Sequence, residues 1–319
     1  MNEPRIVVTQ RIHQEIADLL STGGRGIVNF NTEPWPEDEL LHHASTADAL
    51  MVFMPDCIDD GFLARCPRLK VIAAALKGYD NFDVEACKRR NIWFTIVPDR
   101  LAEPTAELAL ALLLGLARNV LPGDRHIRSG EFRGWRPTLY GRSLYGATVG
   151  IVGYGAVGEA LAQLLLPFLV RVLTHDLHNP EDNLRRVLAE SDFVLPLLPL
   201  TPATLHMFNP ERLAWMRAGA FLVNVGRGSL VDEKAVAEAL ALGRLAGYAA
   251  DTFEMEDWAR ADRPREIPHL LLESDRTVFT PHLGSAVGDA RLEIERIAAN
   301  SILQALRGEI PDHAVDRSG

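Results

Sequence analysis

The sequence predicts an α/β protein built from two doubly wound parallel sheets, each in its own domain. Short apolar runs alternate with helix-forming stretches along almost all of the 319 residues, which is the pattern of parallel strands joined by helices. A long apolar helix that begins at Thr105, just after Pro98 and Pro104, separates this alternation into two series. We therefore interpret that helix as the connector between the two domains.

The first series predicts the smaller domain. Its expected strands lie at 5–9, 49–54, 70–75 and 92–97, with helices around 12–20 and 60–65. The second series predicts strands near 148–152, 171–175, 193–197, 220–225, 247–250 and 277–279. A last amphipathic helix, 289–307, most simply packs back on the first series. The smaller domain is then discontinuous, 1–100 with 287–319, and the larger domain spans 101–286.

The stretch GYGAVG, residues 153–158, indicates a dinucleotide site in the larger domain. It follows an apolar strand and opens a helix, the context in which a G-x-G-x-x-G pattern binds a pyrophosphate. Gly153 permits the tight turn, Gly155 lets the backbone approach the phosphates, and Gly158 lets the helix pack closely on its strand. The phosphates face unpaired N–H groups at the positive end of the helix.

An acidic residue after the second strand of this domain indicates which dinucleotide binds. Asp176 follows the strand 171–175, eighteen positions past Gly158. A carboxylate there bonds the ribose hydroxyls and repels a 2′-phosphate, so the sequence favours NAD over NADP.

Composition excludes several classes of protein. The net charge of −10 and the pI of about 5.5 argue against a general binder of nucleic acid or of anionic membranes. The cysteines Cys57, Cys66 and Cys87 have no metal-like spacing and are expected to be reduced thiols, and no metal site is predicted. Without a signal-like apolar segment at the N-terminus, we expect a soluble cytoplasmic protein.

Three polar residues follow strands of the larger domain, at the sheet edge where ligands bind. They are Arg227 in NVGRGSLVD, Glu256 in DTFEMED and His282 in TPHLGSA. Together they supply a fork for an anionic substrate, a proton carrier, and a carboxylate that orients the proton carrier. We expect this set to be catalytic, although each residue alone is more often structural or solvated.

On these motifs the chain resembles, over nearly its whole length, the NAD-dependent D-2-hydroxyacid dehydrogenases. The resemblance implies a Rossmann domain for NAD, a flavodoxin-like substrate domain, an active site in the cleft between them, and a homodimer built on the nucleotide domain. It implies that Arg227 clamps the substrate, that His282 is the acid/base and that Glu256 is its partner. It also implies further cofactor contacts: Ala156, Val157, Thr105, Pro199, Val225, Asp251 and Gly284.

Within that family the chain more closely resembles the phosphite (phosphonate) dehydrogenases. This resemblance rests on VFMPD at 52–56, ALKGYDNFDVEAC at 75–87, SGEFRGWRPTLYG at 129–141 and FEMEDWARADRPR at 253–265. It implies phosphite as the substrate and oxidation to phosphate as the reaction, with Lys77 as a second cation beside Arg227. The implied remainder of the pocket is Gly78, Met54, Trp135, Tyr140 and Arg291.

The chain departs from the family pattern beside Asp176. Only fourteen residues separate Asp176 from Ser191, where family members fit a helix and a further short strand. We predict that this edge strand of the nucleotide sheet is missing or reduced to a loop. The family's usual glycine before the second strand is also absent, because residues 167–170 read PFLV.

Two other functions stay open. An ordinary D-2-hydroxyacid dehydrogenase that reduces glyoxylate or hydroxypyruvate would keep Arg227, Glu256 and His282 but has no need of Lys77. A nucleotide-sensing binding protein on the same fold is a different class of function. An intact Arg/Glu/His set argues against it, and no peptide-binding extension is visible.

Overall fold

The chain forms two compact units. The protein is described by a computed structural model that places residues 3–98 and 100–315. Unit 1 comprises Met1–Leu101, Trp258–Ala261 and Val287–Gly319, and unit 2 comprises Ala102–Asp257 and Asp262–Ala286.

Unit 1 contains a five-stranded parallel sheet. Its strands are β1 (Arg5–Val8), β2 (Arg25–Val28), β3 (Ala49–Val52), β4 (Val71–Ala74) and β5 (Trp93–Thr95). They lie in the order β2-β1-β3-β4-β5, and Leu50 stands opposite both Val7 and Ile72 in the register. The inner strands β3 and β4 are buried along their length, as expected for a sheet that is covered on two faces.

Helices cover both faces of this sheet. They are α1 (Gln14–Ser21), α2 (Glu37–Ala44), α3 (Asp60–Ala64), α4 (Val84–Arg89) and α12 (Gly288–Leu306). Val7 and Leu50 point into the core formed with α2, α3 and α4, whereas Ile6 and Met51 point into the core formed with α1 and α12. Successive residues of each strand therefore pack into the two hydrophobic cores on opposite faces of the sheet.

Unit 2 contains a six-stranded parallel sheet. Its strands are β6 (Thr148–Val152), β7 (Arg171–His175), β8 (Phe193–Pro196), β9 (Ala220–Asn224), β10 (Leu245–Ala250) and β11 (Thr277–Phe279), in the order β11-β10-β9-β8-β6-β7. Its helices are α5 (Ala102–Ala117), α6 (Val120–Arg128), α7 (Ala156–Leu165), α8 (Glu181–Glu190), α9 (Pro210–Trp215), α10 (Glu233–Ala241) and α11 (His269–Leu272). Ile151 packs toward α5 and α7, and Leu222 packs toward α8 and α10. The prediction of two doubly wound parallel sheets is confirmed.

The connector helix is shorter than the sequence suggests. We expected one helix from Thr105 to about Leu121, but α5 ends at Ala117 and α6 starts at Val120 with an axis bent by 63°. Asn119 makes the break with a left-handed φ of 52°. Asn tolerates that region better than most residues, so it can end a helix without glycine. Within the described residues no single helix is long and apolar enough to cross a bilayer, although α5 and α6 together pass a length and composition test.

The sheet of unit 2 has no edge strand beyond β7 in the described residues, in agreement with the prediction from the sequence. Between Asp176 and Ser191 the chain forms α8 and no strand, so β7 is the last strand at that side of the sheet. In the connection before β7, where the sequence has no glycine, Leu169 adopts a left-handed φ of 52°. A β-carbon in that region is strained, and the side chain is 65% exposed, so little packing offsets the strain.

Candidate functional site

The glycine turn after β6 has the geometry of a phosphate cradle. Gly153 adopts a φ of 104°, and a β-carbon there would lie 2.6 Å from the backbone of Leu197. At Gly158 a β-carbon would lie 2.7 Å from the carbonyl oxygen of Gly153, so the helix packs directly on the turn. Gly155, by contrast, faces open space. Two of the glycines are required by the fold itself, and the third leaves room for a ligand.

The helix behind this turn begins without a capping side chain. Gly155 is the N-cap of α7, and no side chain caps the helix. The first amides of a helix have no intrahelical acceptor, so those of Ala156, Val157 and Gly158 are available to an anion. This donor set fits the pyrophosphate of a dinucleotide.

Asp176 stands at the carboxyl end of β7, next to the glycine turn. Its Oδ1 accepts a hydrogen bond of 2.7 Å from the amide of Leu177, and its own amide donates to Oδ1 of Asn179 at 2.8 Å. The carboxyl is thus held in a tight turn at the strand end, while His175 beside it bonds Asn183 at 3.0 Å through Nδ1. The turn gives the carboxylate a set orientation.

His282 and Glu256 form a hydrogen-bonded pair. Nδ1 of His282 lies 2.6 Å from Oε2 of Glu256, and both side chains are partly exposed. The second carboxylate oxygen accepts from the amide of Phe253 at 2.8 Å, which anchors the acid to its own turn. His282 has a left-handed φ of 55°, a strained conformation of the kind that surrounding contacts must enforce at functional sites.

Asp251 enforces the conformation of the loop that carries His282. Its buried carboxylate accepts from the hydroxyl of Thr280 at 2.6 Å and from the amides of Leu283 and Gly284 at 2.7 and 2.9 Å. Thr105 on α5 contacts the same loop, with its hydroxyl 3.5 Å from the carbonyl oxygen of Gly284. Asp251 thereby uses both oxygens to shape the loop.

Arg227 follows β9 in a loop organised by Asn224. The Asn224 amide donates to the carbonyl oxygen of Arg227 at 2.9 Å, and its oxygen accepts from the amide of Gly226 at 3.1 Å. Asn224 is fully buried, whereas Arg227 is half-buried. The sequence analysis did not single out Asn224, although a polar residue ending a buried strand was a usable signal. Val225 is buried beside Arg227, and Pro199 lies exposed after β8.

The predicted substrate residues fall into both units. Unit 1 holds exposed Lys77, half-buried Gly78 and half-buried Met54, all of which follow strands β3 and β4. In unit 1, the guanidinium of Arg291 also lies 5.4 Å from the ring centroid of Phe53. Burial lowers the pKa of Arg291, although Glu295 on the next turn opposes that shift.

The two predicted aromatic substrate residues lie in unit 2. Trp135 and Tyr140 are each 77% exposed. They share a segment without helix or strand that also exposes Phe132 and Tyr145.

Comparison with known proteins identifies the family. The family described as "D-isomer specific 2-hydroxyacid dehydrogenase, NAD binding domain" matches residues 110–284. The glyoxylate reductase of Pyrococcus furiosus is 37% identical over 336 residues, covering 99% of this chain and 96% of that protein. The chain belongs to the D-isomer specific 2-hydroxyacid dehydrogenase family.

Solved structures agree with this assignment. D-lactate dehydrogenase from Aquifex aeolicus, complexed with NAD and lactic acid, superimposes with a TM-score of 0.80 at 26% identity, with 96% of each chain covered. The NADPH-dependent glyoxylate/hydroxypyruvate reductase of Sinorhizobium meliloti, complexed with NADP and malonate, gives a TM-score of 0.83 at 26% identity, with 99% of this chain and 98% of that chain covered. The glycine turn of unit 2 therefore belongs to the NAD-binding domain of this family, whose solved members bind NAD or NADP.

Proposed function

We propose that this protein reduces a small 2-oxo acid to the 2-hydroxy acid, with glyoxylate and hydroxypyruvate as the first candidates. The observation that carries the proposal is the His282–Glu256 pair, 2.6 Å apart, on the sheet edge that also carries Arg227. A relative that is 37% identical over nearly the full length is a glyoxylate reductase, and a structural neighbour acts on glyoxylate and hydroxypyruvate. We also propose NAD rather than NADP, because Asp176 stands at the end of β7.

The residues divide the chemistry between them. Arg227 binds the substrate carboxylate and orients the carbonyl. NADH, held at the glycine turn, would supply the hydride for the carbonyl carbon. His282, held through Nδ1, donates the proton from Nε2 to the carbonyl oxygen, so that glyoxylate, NADH and one proton become glycolate and NAD⁺. Glu256 stabilises the protonated imidazole and keeps its ring oriented.

Phosphite oxidation is the second candidate. It rests on Lys77 after β4 and on the resemblance of the stretches 129–141 and 253–265 to phosphite dehydrogenases, whereas the matched relatives are named glyoxylate reductases. Phosphite, NAD⁺ and water become phosphate, NADH and a proton. The P–H bond breaks as hydride while the water oxygen bonds to phosphorus, and His282 takes the water proton. In this second candidate Arg227 and Lys77 bind phosphite oxygens, and the other substrate residues proposed from the sequence are Gly78, Met54, Trp135, Tyr140 and Arg291.

The remaining contacts follow from the same proposal. We assign Gly153, Gly155, Ala156, Val157 and Gly158 to the pyrophosphate. The other proposed cofactor contacts are Thr105, Asp176, Pro199, Val225, Asp251 and Gly284.

We also propose a homodimer, because the exposed aromatic side chains of Phe132, Trp135, Tyr140 and Tyr145 are the kind that a partner chain covers. Light scattering of the eluting protein across a concentration range tests this proposal, and a monomer at every concentration overturns it.

One assay separates the candidate substrates. NADH absorbance is followed with glyoxylate or hydroxypyruvate and NADH, and in parallel with phosphite and NAD⁺, with NADP(H) as the alternative cofactor. The Lys77→Ala variant is run beside Lys70→Ala, a control at the opposite end of β4. Oxo-acid reduction that survives Lys77→Ala supports the first candidate. Phosphite-dependent NADH formation that is lost only in Lys77→Ala supports the second. If no assay shows turnover but the protein binds NADH tightly, a nucleotide-sensing binding protein is favoured.

A further inference from the structure

Two loops that carry the proposed catalytic residues are joined directly to each other. The Arg227 loop comprises residues 225–233, and the Glu256 loop comprises residues 251–257. A β-carbon on Gly228 would lie 1.9 Å from the carbonyl carbon of Phe253, so the two backbones touch. The amide of Ser229 donates to Oδ2 of Asp257 at 3.0 Å, and the Ser229 hydroxyl donates to the same oxygen.

A reciprocal pair of buried acids completes this junction. The amide of Glu233 donates to Oε1 of Glu254 at 3.1 Å, and the amide of Glu254 donates to Oε1 of Glu233 at 2.9 Å. Each side chain therefore binds the backbone of the opposite loop. Glu233 is 1% exposed and Glu254 is 5% exposed, so both bonds lie in a dry environment where a hydrogen bond strongly constrains geometry.

The two acids have unequal surroundings. Glu254 pairs through Oε2 with Nε2 of His206 at 2.7 Å. Oε2 of Glu233 is buried and has no hydrogen-bond partner in the described part of the chain. A buried charge without a partner is costly, so Glu233 is the member of the pair that favours the neutral form.

The carboxylates that surround Glu233 also favour its neutral form. Burial raises the pKa of Glu233 to about 8, the hydrogen bond from the Glu254 amide opposes that shift, and the charges of Glu254, Asp257 and Glu256 add to it. Glu233 and Glu254 also contribute to a raised pKa of Tyr248, whose largest cause is burial. Glu233 begins α10, and a helix start favours a carboxylate, but this effect is smaller than the cost of removing the charge from water.

We propose that Glu233 is a positioning residue that, as a neutral carboxyl bonded to Glu254, locks the Arg227 loop onto the Glu256 loop. The proposal rests on the proposed function, because it concerns the geometry of Arg227 relative to Glu256 and His282. Ionisation of Glu233 places a second negative charge against Glu254 and weakens the junction. Arg227 then loses its set position, and activity falls at alkaline pH without any change at His282 itself.

The Glu233→Gln variant tests this role, with Glu238→Gln as the control on the exposed side of α10. We expect wild type and Glu238→Gln to lose activity above about pH 8 and to retain roughly one tenth of the junction-dependent rate at about pH 9. Glu233→Gln keeps the acceptor oxygen and cannot ionise, so its alkaline loss shifts upward. An unchanged alkaline loss in Glu233→Gln overturns the proposal, as does a wild-type rate that stays flat to pH 9.

A readout without substrate keeps this test separate from the proposed function. Since the pKa of Glu233 is higher in the folded chain than in the unfolded chain, wild-type stability falls as pH rises between about 4 and about 8. The melting temperature of Glu233→Gln minus that of wild type should therefore increase across this range and stay constant above it. A constant difference overturns the proposal even if no substrate is found. Absence of turnover with a growing difference counts against the proposed function alone.

Discussion

Glu256 binds His282 with one carboxylate oxygen and its own turn with the other. Oε2 lies 2.6 Å from Nδ1 of His282, while Oε1 accepts a 2.8 Å hydrogen bond from the amide of Phe253. Rotation of the carboxylate would break both bonds, so the ring is held with Nε2 as the nitrogen that can exchange a proton with a substrate.

Replacing His282 should remove proton transfer and leave cofactor binding intact. We expect His282→Gln to lower kcat by about 10²- to 10⁴-fold, because general acid–base catalysis contributes that much. Steady-state rates measure the loss, and NADH fluorescence titration checks binding. His269→Gln is the control, since His269 is exposed and forms its ion pair with Glu273, four residues on. A loss of less than tenfold in His282→Gln would contradict a role in proton transfer.

Gly155 and Gly158, the second and third glycines of the turn, should respond differently to alanine. Gly155 faces open space, so Gly155→Ala should keep the melting temperature and weaken NADH binding, because the added methyl occupies the ligand's approach. Gly158→Ala places a methyl 2.7 Å from the oxygen of Gly153 and should lower the free energy of unfolding by about 1–3 kcal/mol. Calorimetry and NADH titration distinguish the two effects. Equal melting temperatures for the two variants would show that the backbone of the turn shifts to accommodate the methyl group at position 158.

Asp176 should control the choice between NADH and NADPH. Removing its carboxylate in Asp176→Ser removes both a ribose acceptor and the repulsion of a 2′-phosphate. We expect the ratio of kcat/KM values for NADH and NADPH to fall by about 10- to 100-fold, a change of about 1.4–2.8 kcal/mol. Asp182→Ser, an exposed acid on α8, is the control. An unchanged ratio would assign cofactor selection to other residues.

Leu169 offers a stability test that is independent of function. Its left-handed φ costs about 1–2 kcal/mol, whereas glycine pays only about 0.5–1 kcal/mol in chain entropy. Leu169→Gly should therefore stabilise unit 2 by about 0.5–1 kcal/mol and raise the melting temperature by roughly 2 °C. Leu166→Gly, at a similarly exposed residue with an ordinary helical φ of −51°, should destabilise it. A lower melting temperature for Leu169→Gly would show that its side chain matters more than its backbone.

Asp56 should make the stability of unit 1 depend on pH. Burial raises its pKa to about 6, and the donors Thr9 and Phe53 reduce the shift. Because the folded pKa is the higher one, wild-type stability falls as pH rises from about 4 to about 6. Asp56→Asn keeps an acceptor oxygen, so its stability relative to wild type should improve over that range by up to about 3 kcal/mol. Denaturant unfolding measures the difference, with Asp18→Asn, at an exposed residue of α1, as the control.

Apolar pattern was enough to predict most of the fold. The strands β3 and β4 are buried at every position, and continuous apolar runs of this kind predict buried strands. The strand β2 was missed because RGIV lies at a sheet edge with two exposed residues, and an edge strand lacks a continuous apolar run. Helices α2 and α4 were missed as well.

The candidate site was predictable in part. Motifs pointed to His282 and Glu256, which the fold brings within hydrogen-bonding distance. The Glu233–Glu254 junction was not predictable, because its acids look like ordinary solvated residues in the sequence and only the packing of two distant loops buries them. The strained φ of His282 was likewise invisible, since it results from the hydrogen bonds that Asp251 makes to the loop.

The position of α12 has a consequence for synthesis on the ribosome. Ile6 and Met51 of the first sheet share a core with Ile294 and Ile302 of α12, yet more than half of the chain separates the two sets. At ordinary translation rates of about 5–20 residues per second, the helix emerges roughly 10–50 s after those strands. During that interval one face of the nascent sheet is covered by α1 alone. All of unit 2 is synthesised before α12, so its core can form first. When α12 leaves the ribosome it packs on the sheet of unit 1 and covers the apolar face that would otherwise favour aggregation of the nascent chain.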